Sequence, residues 1–460
     1  MERLISRKRL IGLFLTGCAC VGIVTSGTFL SGGRNATVYD CEGNKVAELY
    51  LENNELQYQC EPGYEAYFDL VRNEVINIVM EQEGTDRSSA MQKIVSDGFE
   101  IRTGFSQNAM DGMIDVYSRT PEVTNGNSAA ALSNTEGCIS ACYSISADGQ
   151  NYNYVNIPAY AGSTIKPLSV YTPALEEGLI TWSSMSRDSP YAMVENSSGQ
   201  MVEWPVNTEP YTDQMITVEK AVAESNNAVA VKVLKDCGAE KACLFLENAF
   251  DISVQQEQEI IREKGEDRAL ANVALGYLDA GVTVEQMTAA YQIFANGGMY
   301  YTPHTVTQIV NNEGEYYAPD GKGVRVVGEE TAFIMNRLLR EVVLGGTGTL
   351  AQIEDAEVCG KTGTSEYGDH WFVGFTPEYV CTVWYESDSE IGTTDSSVQA
   401  VHDILASLEL SEDAVYPRTK NVYEMEYCME TGLLRGAGCQ KISRGYYAGN
   451  NMPGICSECE

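Results

Sequence analysis

Residues Ile11 to Leu30 form an uncharged, mostly apolar run of 20 residues, and no other stretch restricts the architecture of this chain so strongly. As a helix it would rise about 30 Å, the thickness of a bilayer's hydrocarbon core. Arg3, Arg7, Lys8 and Arg9 precede it, and no basic residue follows until Arg34. That asymmetry keeps the short N-terminus in the cytoplasm and puts the rest of the chain outside. The expected order is a cytoplasmic N-terminus over 1–9, a single membrane anchor over 10–30 and an extracellular remainder. A cleaved signal peptide competes with this reading, but its apolar region is shorter and ends in small residues. Leu15-Thr16-Gly17-Cys18 also looks like a lipoprotein cleavage site, although the apolar run continues well past Cys18. An anchor or a lipid on Cys18 would equally tether the protein to the outer face of the cell membrane.

Composition matters next for partners and redox setting. A net charge of -35 argues against nucleic acid and against an anionic membrane surface as partners. Twelve of the 14 cysteines lie beyond the apolar run, a number suited to an oxidising exterior. Cys41 with Cys60, Cys237 with Cys243, and the tail group Cys428, Cys439, Cys456 and Cys459 are disulfide candidates whose pairing the spacing does not fix. Cys456-x-x-Cys459 is the one close pair in that tail, so zinc is a minor alternative, and the working expectation is no metal and no cofactor.

Along the chain, Ala36 to Leu49 reads as a short hairpin turning at Glu42-Gly43-Asn44. Helical periodicity follows over Pro62 to Met80 and Ser88 to Val95, then a strand at Phe99 to Thr103 and a helix over Asn108 to Tyr117. The polar stretch Thr120 to Ser128 marks a boundary. Ala129 to Ser133 and Cys138 to Ser146 are strand candidates separated by Asn134-Thr135-Glu136-Gly137. Ser183 to Ile216, rich in Ser, Pro, Asn and Asp, reads as a long surface excursion.

Three short patterns carry chemistry. Ser163 follows Gly162 and opens a segment whose apolar residues Ile165, Leu168, Tyr171 and Leu175 recur at helical spacing up to Gly178. Residues three apart share a helix face, so Lys166 can take the Ser163 proton once its own pKa is lowered. Pro167 suits a first turn, whereas Pro173 should kink or split the helix. Alone, Ser-x-x-Lys is weak, and a solvated helix turn explains it as well. Ser225-Asn226-Asn227 falls between two helical segments, where a helix cap is the plain reading. Cys359-Gly360-Lys361-Thr362-Gly363-Thr364-Ser365 precedes two β-rich runs, Trp371 to Phe375 and Tyr379 to Trp384, and reads with them as three adjacent antiparallel strands. A phosphate loop is excluded because its first glycine is missing and a strand follows instead of a helix.

In this order, Ser-x-x-Lys, Ser-x-Asn and Lys-Thr-Gly are the signature set of serine acyl-transferases acting on β-lactams and peptidoglycan stems. The chain therefore resembles the transpeptidase domain of class A penicillin-binding proteins from about Pro62 to the C-terminus. The resemblance also takes in Ala289-Ala290-Tyr291, Ala295-Asn296-Gly297-Gly298, the stretch Val343 to Thr349, the strand from Trp371 to Pro377, and the tail from Tyr427 to Cys459. It implies an α+β fold, an antiparallel sheet with flanking helices. A stalk and linker domain would cover 34–124, the transpeptidase domain 125–412 and the Cys-containing tail 413–460. One departure stands out. Class A members carry a glycosyltransferase domain before the linker, whereas Asn53-Asn54-Glu55 runs almost directly into Pro62, and the first of 3 histidines is His304. Glycan polymerisation is expected to be absent, with a separate polymerase as a partner.

By that resemblance Ser163 would acylate on a stem peptide's terminal D-alanine pair, with Lys166 as base. Ser225 would relay a proton to the leaving amine, and Asn227 would hold the acyl chain. Lys361 and Thr364, with Thr362 and Gly363 in support, would bind the substrate carboxylate, and the amides of Ser163 and Thr364 would form the oxyanion hole. β-Lactams would bind as substrate mimics. Two alternatives stay open: a carboxypeptidase or β-lactamase-like hydrolase, for which Glu247-Asn248 lacks the expected surroundings of a deacylating Glu, and a non-catalytic β-lactam sensor or wall scaffold.

Overall fold

The computed structural model describes residues 35–150, 152–196, 198–387 and 393–459. The apolar run over Ile11 to Leu30 lies outside the described residues. Among those described, no helix is long and apolar enough to cross a membrane.

Strands β1 (Ala36–Tyr39) and β2 (Lys45–Glu52) form the expected hairpin, and β3 (Glu55–Gln59) extends it. The expected hairpin does not include β3. Asn53 and Asn54, with φ of 52 and 63°, make a two-residue turn of the left-handed kind that matches strand twist. Helix α1 (Glu65–Glu83) buries Tyr67, Phe68, Val71, Val75, Ile76 and Val79 along one face. Helix α2 (Arg87–Ser96) starts at Asp86, whose side chain accepts from the Ser89 amide at 2.8 Å. Strand β4 (Glu100–Thr103) then pairs in parallel with β1, and helix α3 (Gln107–Arg119) leads toward the second sheet.

Strands β5 (Ser128–Asn134) and β6 (Ile139–Ile145) open that second sheet, but the chain later returns to the first one. There β7 (Val306–Asn311) pairs with β4, and β8 (Gly314–Tyr317) closes the order β8-β7-β4-β1-β2-β3. The N-terminal sheet thus draws two strands from residues beyond 300, so it is not confined to 34–124. Glu74 of α1 holds the junction, accepting from the Thr305 amide and hydroxyl at 2.6 Å each.

The second sheet runs β9-β10-β11-β5-β6 and is antiparallel throughout, with β9 (Cys359–Thr364), β10 (Asp369–Phe375) and β11 (Tyr379–Glu386) adjacent as expected. Every residue of β10 is buried, so both faces of the sheet are covered. Between β6 and β9 lie helices α4 (Val218–Ala223), α5 (Asn227–Cys237), α6 (Ala239–Phe250), α7 (Val284–Ala295) and α8 (Glu329–Gly345). Helix α9 (Thr394–Ala406) follows β11 and packs on β10 and β11, while α7 packs on β11 and β5. The buried run Ala129-Ala130-Ala131 in β5 lacks bulk, which permits this close helix approach. The expected α+β architecture is the observed one.

The helix expected after Ser163 changes type twice. Gly162–Ile165 is a 3₁₀ turn, Pro167–Tyr171 a π turn and Thr172–Glu176 an α turn. Thr172 donates its amide to the Pro167 carbonyl, five residues back. Pro173 has no amide to continue the ladder, so the preceding turn widens and the proline becomes an early residue of a new helical turn. Of the expected kink or split, the chain takes a split into three windings.

Candidate active site

Ser163 sits where a strand edge and a helix start are forced together. Gly162 has φ of +53°, and a Cβ there would lie 2.4 Å from the Thr364 carbonyl oxygen of β9. At Gly276 a Cβ would lie 2.1 Å from the Gly162 carbonyl oxygen, and at Gly363 one would lie 2.7 Å from the Ala161 oxygen. Three glycines therefore let three backbones touch around the serine. Tyr291 of α7 donates to the Thr164 carbonyl at 2.5 Å, and Trp371 of β10 donates to the Tyr160 carbonyl at 2.8 Å. In a 3₁₀ turn, side chains at i and i+3 eclipse, so Ser163 and Lys166 are stacked more directly than an α-helix would stack them. Ser163 is half-buried, whereas Lys166 is fully buried.

Lys166 and Lys361 both converge on Ser225. The Lys166 amine donates to the Ser225 carbonyl at 2.7 Å and to Asn227 Oδ1 at 2.5 Å, with Ser225 Oγ at 3.5 Å. From β9, the Lys361 amine donates to Ser225 Oγ at 2.8 Å and to the Thr362 carbonyl at 3.0 Å. Among the described residues, neither amine pairs with a carboxylate. Burial, and then the like charge of Lys361, hold Lys166 well below the usual lysine range; burial brings Lys361 down to about 7. A lowered pKa favours the neutral Lys166 amine, whose lone pair can accept a proton at neutral pH.

The junction carrying Ser225 is both a cap and a site. Asn226 accepts from the Val229 amide at 2.9 Å and so caps α5, as the plain reading held. The turn also forces Ser225 to φ of 59°, a left-handed conformation disfavoured for serine. Asp188 steadies it from the excursion at 183–216, accepting from Asn226 Nδ2 at 2.8 Å, Asn207 Nδ2 at 2.9 Å and the Thr212 amide at 2.8 Å. Burial would raise the Asp188 pKa, but these donors prevail and hold it below the ordinary range. Asn207 Oδ1 in turn accepts from the Asn227 amide at 2.9 Å, and Asn227 Nδ2 donates to the Val206 carbonyl at 2.6 Å.

The structure thus gathers Ser163, Lys166, Ser225, Asn227, Lys361, Thr362, Gly363 and Thr364 from three parts of the chain into one place. Thr364 is exposed beside Gly162, and its hydroxyl meets that of Thr394 on α9 at 2.7 Å. Thr362 and Thr347 share a hydroxyl contact at 2.6 Å. Asp188, Asn207, Gly276 and Thr394 went unremarked in the sequence. Thr347 was visible only as part of a glycine-rich match with no role. Its amide donates to the Ala223 carbonyl at 3.1 Å, so it links the end of α4 to β9. Glu247 lies on α6 and accepts from Gln258 at 2.9 Å. Cys41, Cys60, Cys237 and Cys243, offered above as disulfide partners, are free thiols, and the four tail cysteines come together as a group.

Against known proteins, the family description "Penicillin binding protein transpeptidase domain" matches residues 118–406. Penicillin-binding protein 1F of Bacillus subtilis is 27% identical over 396 residues, covering 80% of this chain and 50% of that protein. Penicillin-binding protein 2a of Streptococcus pneumoniae is 30% identical over 346 residues, covering 70% and 43%. The chain spans about half the length of such relatives. Penicillin-Binding Protein 1A from Haemophilus influenzae superposes with a TM-score of 0.67 at 18% identity, covering 87% of this chain and 78% of that one. The D,D-transpeptidase domain of a peptidoglycan glycosyltransferase from Eggerthella lenta gives 0.60 at 17%, covering 82% and 97%.

Proposed function

Because this chain belongs to the penicillin-binding protein transpeptidase family, we propose that it is a peptidoglycan DD-transpeptidase working through an acyl-serine. The observation that carries this reading is the convergence of two buried, charge-suppressed amines on Ser225: Lys361 at 2.8 Å from its hydroxyl and Lys166 at 2.7 Å from its carbonyl. A sensor or scaffold has no need to bury two lysines without a carboxylate partner, an arrangement that opposes folding.

Ser163 Oγ attacks the carbonyl between the two terminal D-alanines of a stem peptide as its proton passes to neutral Lys166. The oxyanion forms against the amides of Ser163 and Thr364, each worth about 3–4 kcal/mol in comparable acyl transfer. The C–N bond breaks, and D-alanine leaves with a proton passed through Ser225. Lys361, once charged, and Thr364 receive the terminal carboxylate, with Thr362 and Gly363 shaping the strand. Asn227 orients Lys166 through its carbonyl oxygen. The amine of a neighbouring stem then attacks the acyl-serine and completes the crosslink. β-Lactams enter as substrate mimics. The protein works at the outer face of the cell membrane on an N-terminal tether, alongside a separate glycan polymerase.

Fluorescent penicillin should label the wild type but not Ser163→Ala, and purified protein should crosslink polymerised stems. Rapid, repeated turnover of penicillin would overturn the transpeptidase in favour of a hydrolase. Absence of labelling would leave a scaffold. Glu247-Asn248 lacks the expected surroundings of a deacylating Glu, and Glu247 accepts from Gln258.

A further inference from the structure

The tail hairpin, β12 (Val422–Cys428) and β13 (Ile442–Ala448), carries a cluster that the catalytic reading does not use. Its loops bring the sulfurs of Cys428, Cys439, Cys456 and Cys459 within 4.8 Å of one another. Cys428 Sγ lies 3.4 Å from Cys459 Sγ, and Cys456 Sγ 3.7 Å from the same atom. Four thiolates at about 2.3 Å from a tetrahedral metal stand about 3.8 Å apart, whereas a disulfide requires about 2.05 Å. All four are free thiols here. They surround one point rather than forming two pairs.

The backbone around them is already set. Gly436 donates its amide to Cys439 Sγ at 3.3 Å, the type of contact that supports a thiolate. A Cβ on Gly436 would lie 1.9 Å from the Cys456 carbonyl oxygen, so only glycine lets these two loops meet. Leu434 donates to the Gly454 carbonyl at 2.9 Å and accepts from the Cys456 amide at 2.8 Å, tying the Cys439 loop to the Cys456-Ser457-Glu458-Cys459 turn. Apolar support is thin: among the described residues, Leu433 and Ile442 are the only non-cysteine hydrophobic side chains packed on the cluster, and Glu430 accepts from Cys459 Sγ at 3.6 Å. Three buried thiols without an apolar interior are otherwise hard to account for.

We propose that Cys428, Cys439, Cys456 and Cys459 form a structural tetrathiolate site for one zinc ion, which locks the tail onto the segment leading to Ser225. Soft thiolates and tetrahedral spacing select zinc among common divalent cations. Binding displaces the thiol protons to solvent and changes no oxidation state. This departs from the expectation of no metal, because the close pair visible in the sequence supplies only half of the ligand set. The locked contact is specific. Ser183 donates to the Gly432 carbonyl at 2.6 Å and accepts from the Tyr447 hydroxyl at 2.8 Å, and Asn451 donates to the Ile180 carbonyl at 2.9 Å. Trp182 and Ser184 in turn accept from the amides of Glu219 and Val218 at the start of α4, which ends just before Ser225.

The test is metal analysis of the full chain purified under reducing conditions in detergent, without added chelator. One zinc per chain is expected, falling to none when Cys456→Ser and Cys459→Ser are combined and unchanged in Cys41→Ser, an exposed cysteine far from the tail in sequence. Replacing zinc with Co²⁺ alone should give the charge-transfer and ligand-field bands of a tetrahedral cobalt thiolate. If the double variant fails to fold, stripping wild-type protein with a chelator should make these four cysteines newly alkylatable, as read by peptide mass spectrometry. Metal-free protein with four reactive thiols, disulfides within the tail, or iron in place of zinc would each overturn the assignment. Fluorescent penicillin labelling of the same samples reads the catalytic proposal separately, so metal-free protein that still labels sinks only the zinc site.

Discussion

The candidate active site and the tail both crowd reactive side chains into a small volume, and they do so with opposite resources. Around the candidate site the interior is continuous: Ile165, Leu168, Val229, Tyr291, Trp371 and Phe372 are all fully buried or nearly so. Such an interior is large enough to hold two lysines away from water and to suppress their charge. The tail cluster has Leu433 and Ile442 and little else. An apolar core changes what a polar group can do; where that core is missing, a cross-link must supply the rigidity. The first region should therefore respond to changes of charge and volume, and the second to loss of ligands and hydrogen bonds.

Lys166→Met tests the contrast most severely. Removing the proposed base should slow β-lactam acylation by about 10²–10⁴-fold. The same change should flatten the dependence of melting temperature on pH. An unfolded lysine titrates near 10.4 and folded Lys166 well below that, so below the unfolded value the unfolded chain holds the extra proton. The contribution of Lys166 to stability should thus rise with pH up to the unfolded value of about 10.4, and the variant should lack that rise. A slope unchanged in Lys166→Met would mean that the amine is charged in the folded protein. Next in size is Gly162→Ala. Its Cβ would meet the Thr364 carbonyl at 2.4 Å at a left-handed φ, so Ser163 must shift relative to β9. A displacement of this kind should reduce the acylation rate about 100-fold while the protein remains folded. Acylation at the wild-type rate would show that the three-glycine contact does not position the serine.

Legibility in the sequence follows the same contrast. Regular elements could be read directly: α1 and α3 fall where helical periodicity put them because one buried face fixes the period, and β5 and β9 to β11 because short β-rich runs bounded by turn residues mark strands buried on both faces. The candidate site residues could be named because three spaced motifs occur in one order. What stayed hidden depends on tertiary contact. Strand β3 is short and polar, and its Asn53-Asn54 turn was passed over. Strands β7 and β8 join a sheet begun over two hundred residues earlier, which no local pattern reports. The left-handed Ser225 is held by Asp188 and Asn207, which are ordinary loop residues until the excursion folds back. The tail cysteines meet only because Gly436 lets two loops touch, so spacing alone suggested pairs and not a four-sulfur group.

A smaller effect separates the two lysines. Burial holds Lys361 at about 7 in the free protein, and an anionic ligand beside it favours the charged form. Binding of a β-lactam carboxylate to Ser163→Ala should therefore take up a proton, and affinity should weaken by up to tenfold per pH unit above about pH 7. Calorimetry in buffers of different ionisation enthalpy measures that uptake. Proton release, or affinity that rises with pH, would remove Lys361 from the carboxylate site.

The smallest expected effect lies where the two regions touch. Ser183 is fully buried and bridges the Gly432 carbonyl and the Tyr447 hydroxyl, so Ser183→Ala leaves both without that partner. An orphaned buried polar group costs about 1–3 kcal/mol, and the penalty falls on the docking of the tail. Amides of β12 and β13 should then exchange faster with solvent, while acylation of Ser163 stays within about threefold of wild type, since Asp188 and Asn226 still hold the Ser225 turn. Hydrogen exchange and penicillin labelling on one preparation read both outcomes. Were acylation to fall as steeply as in Gly162→Ala, the tail would belong to the catalytic core. The division between a region held by burial and one held by cross-links would then be wrong.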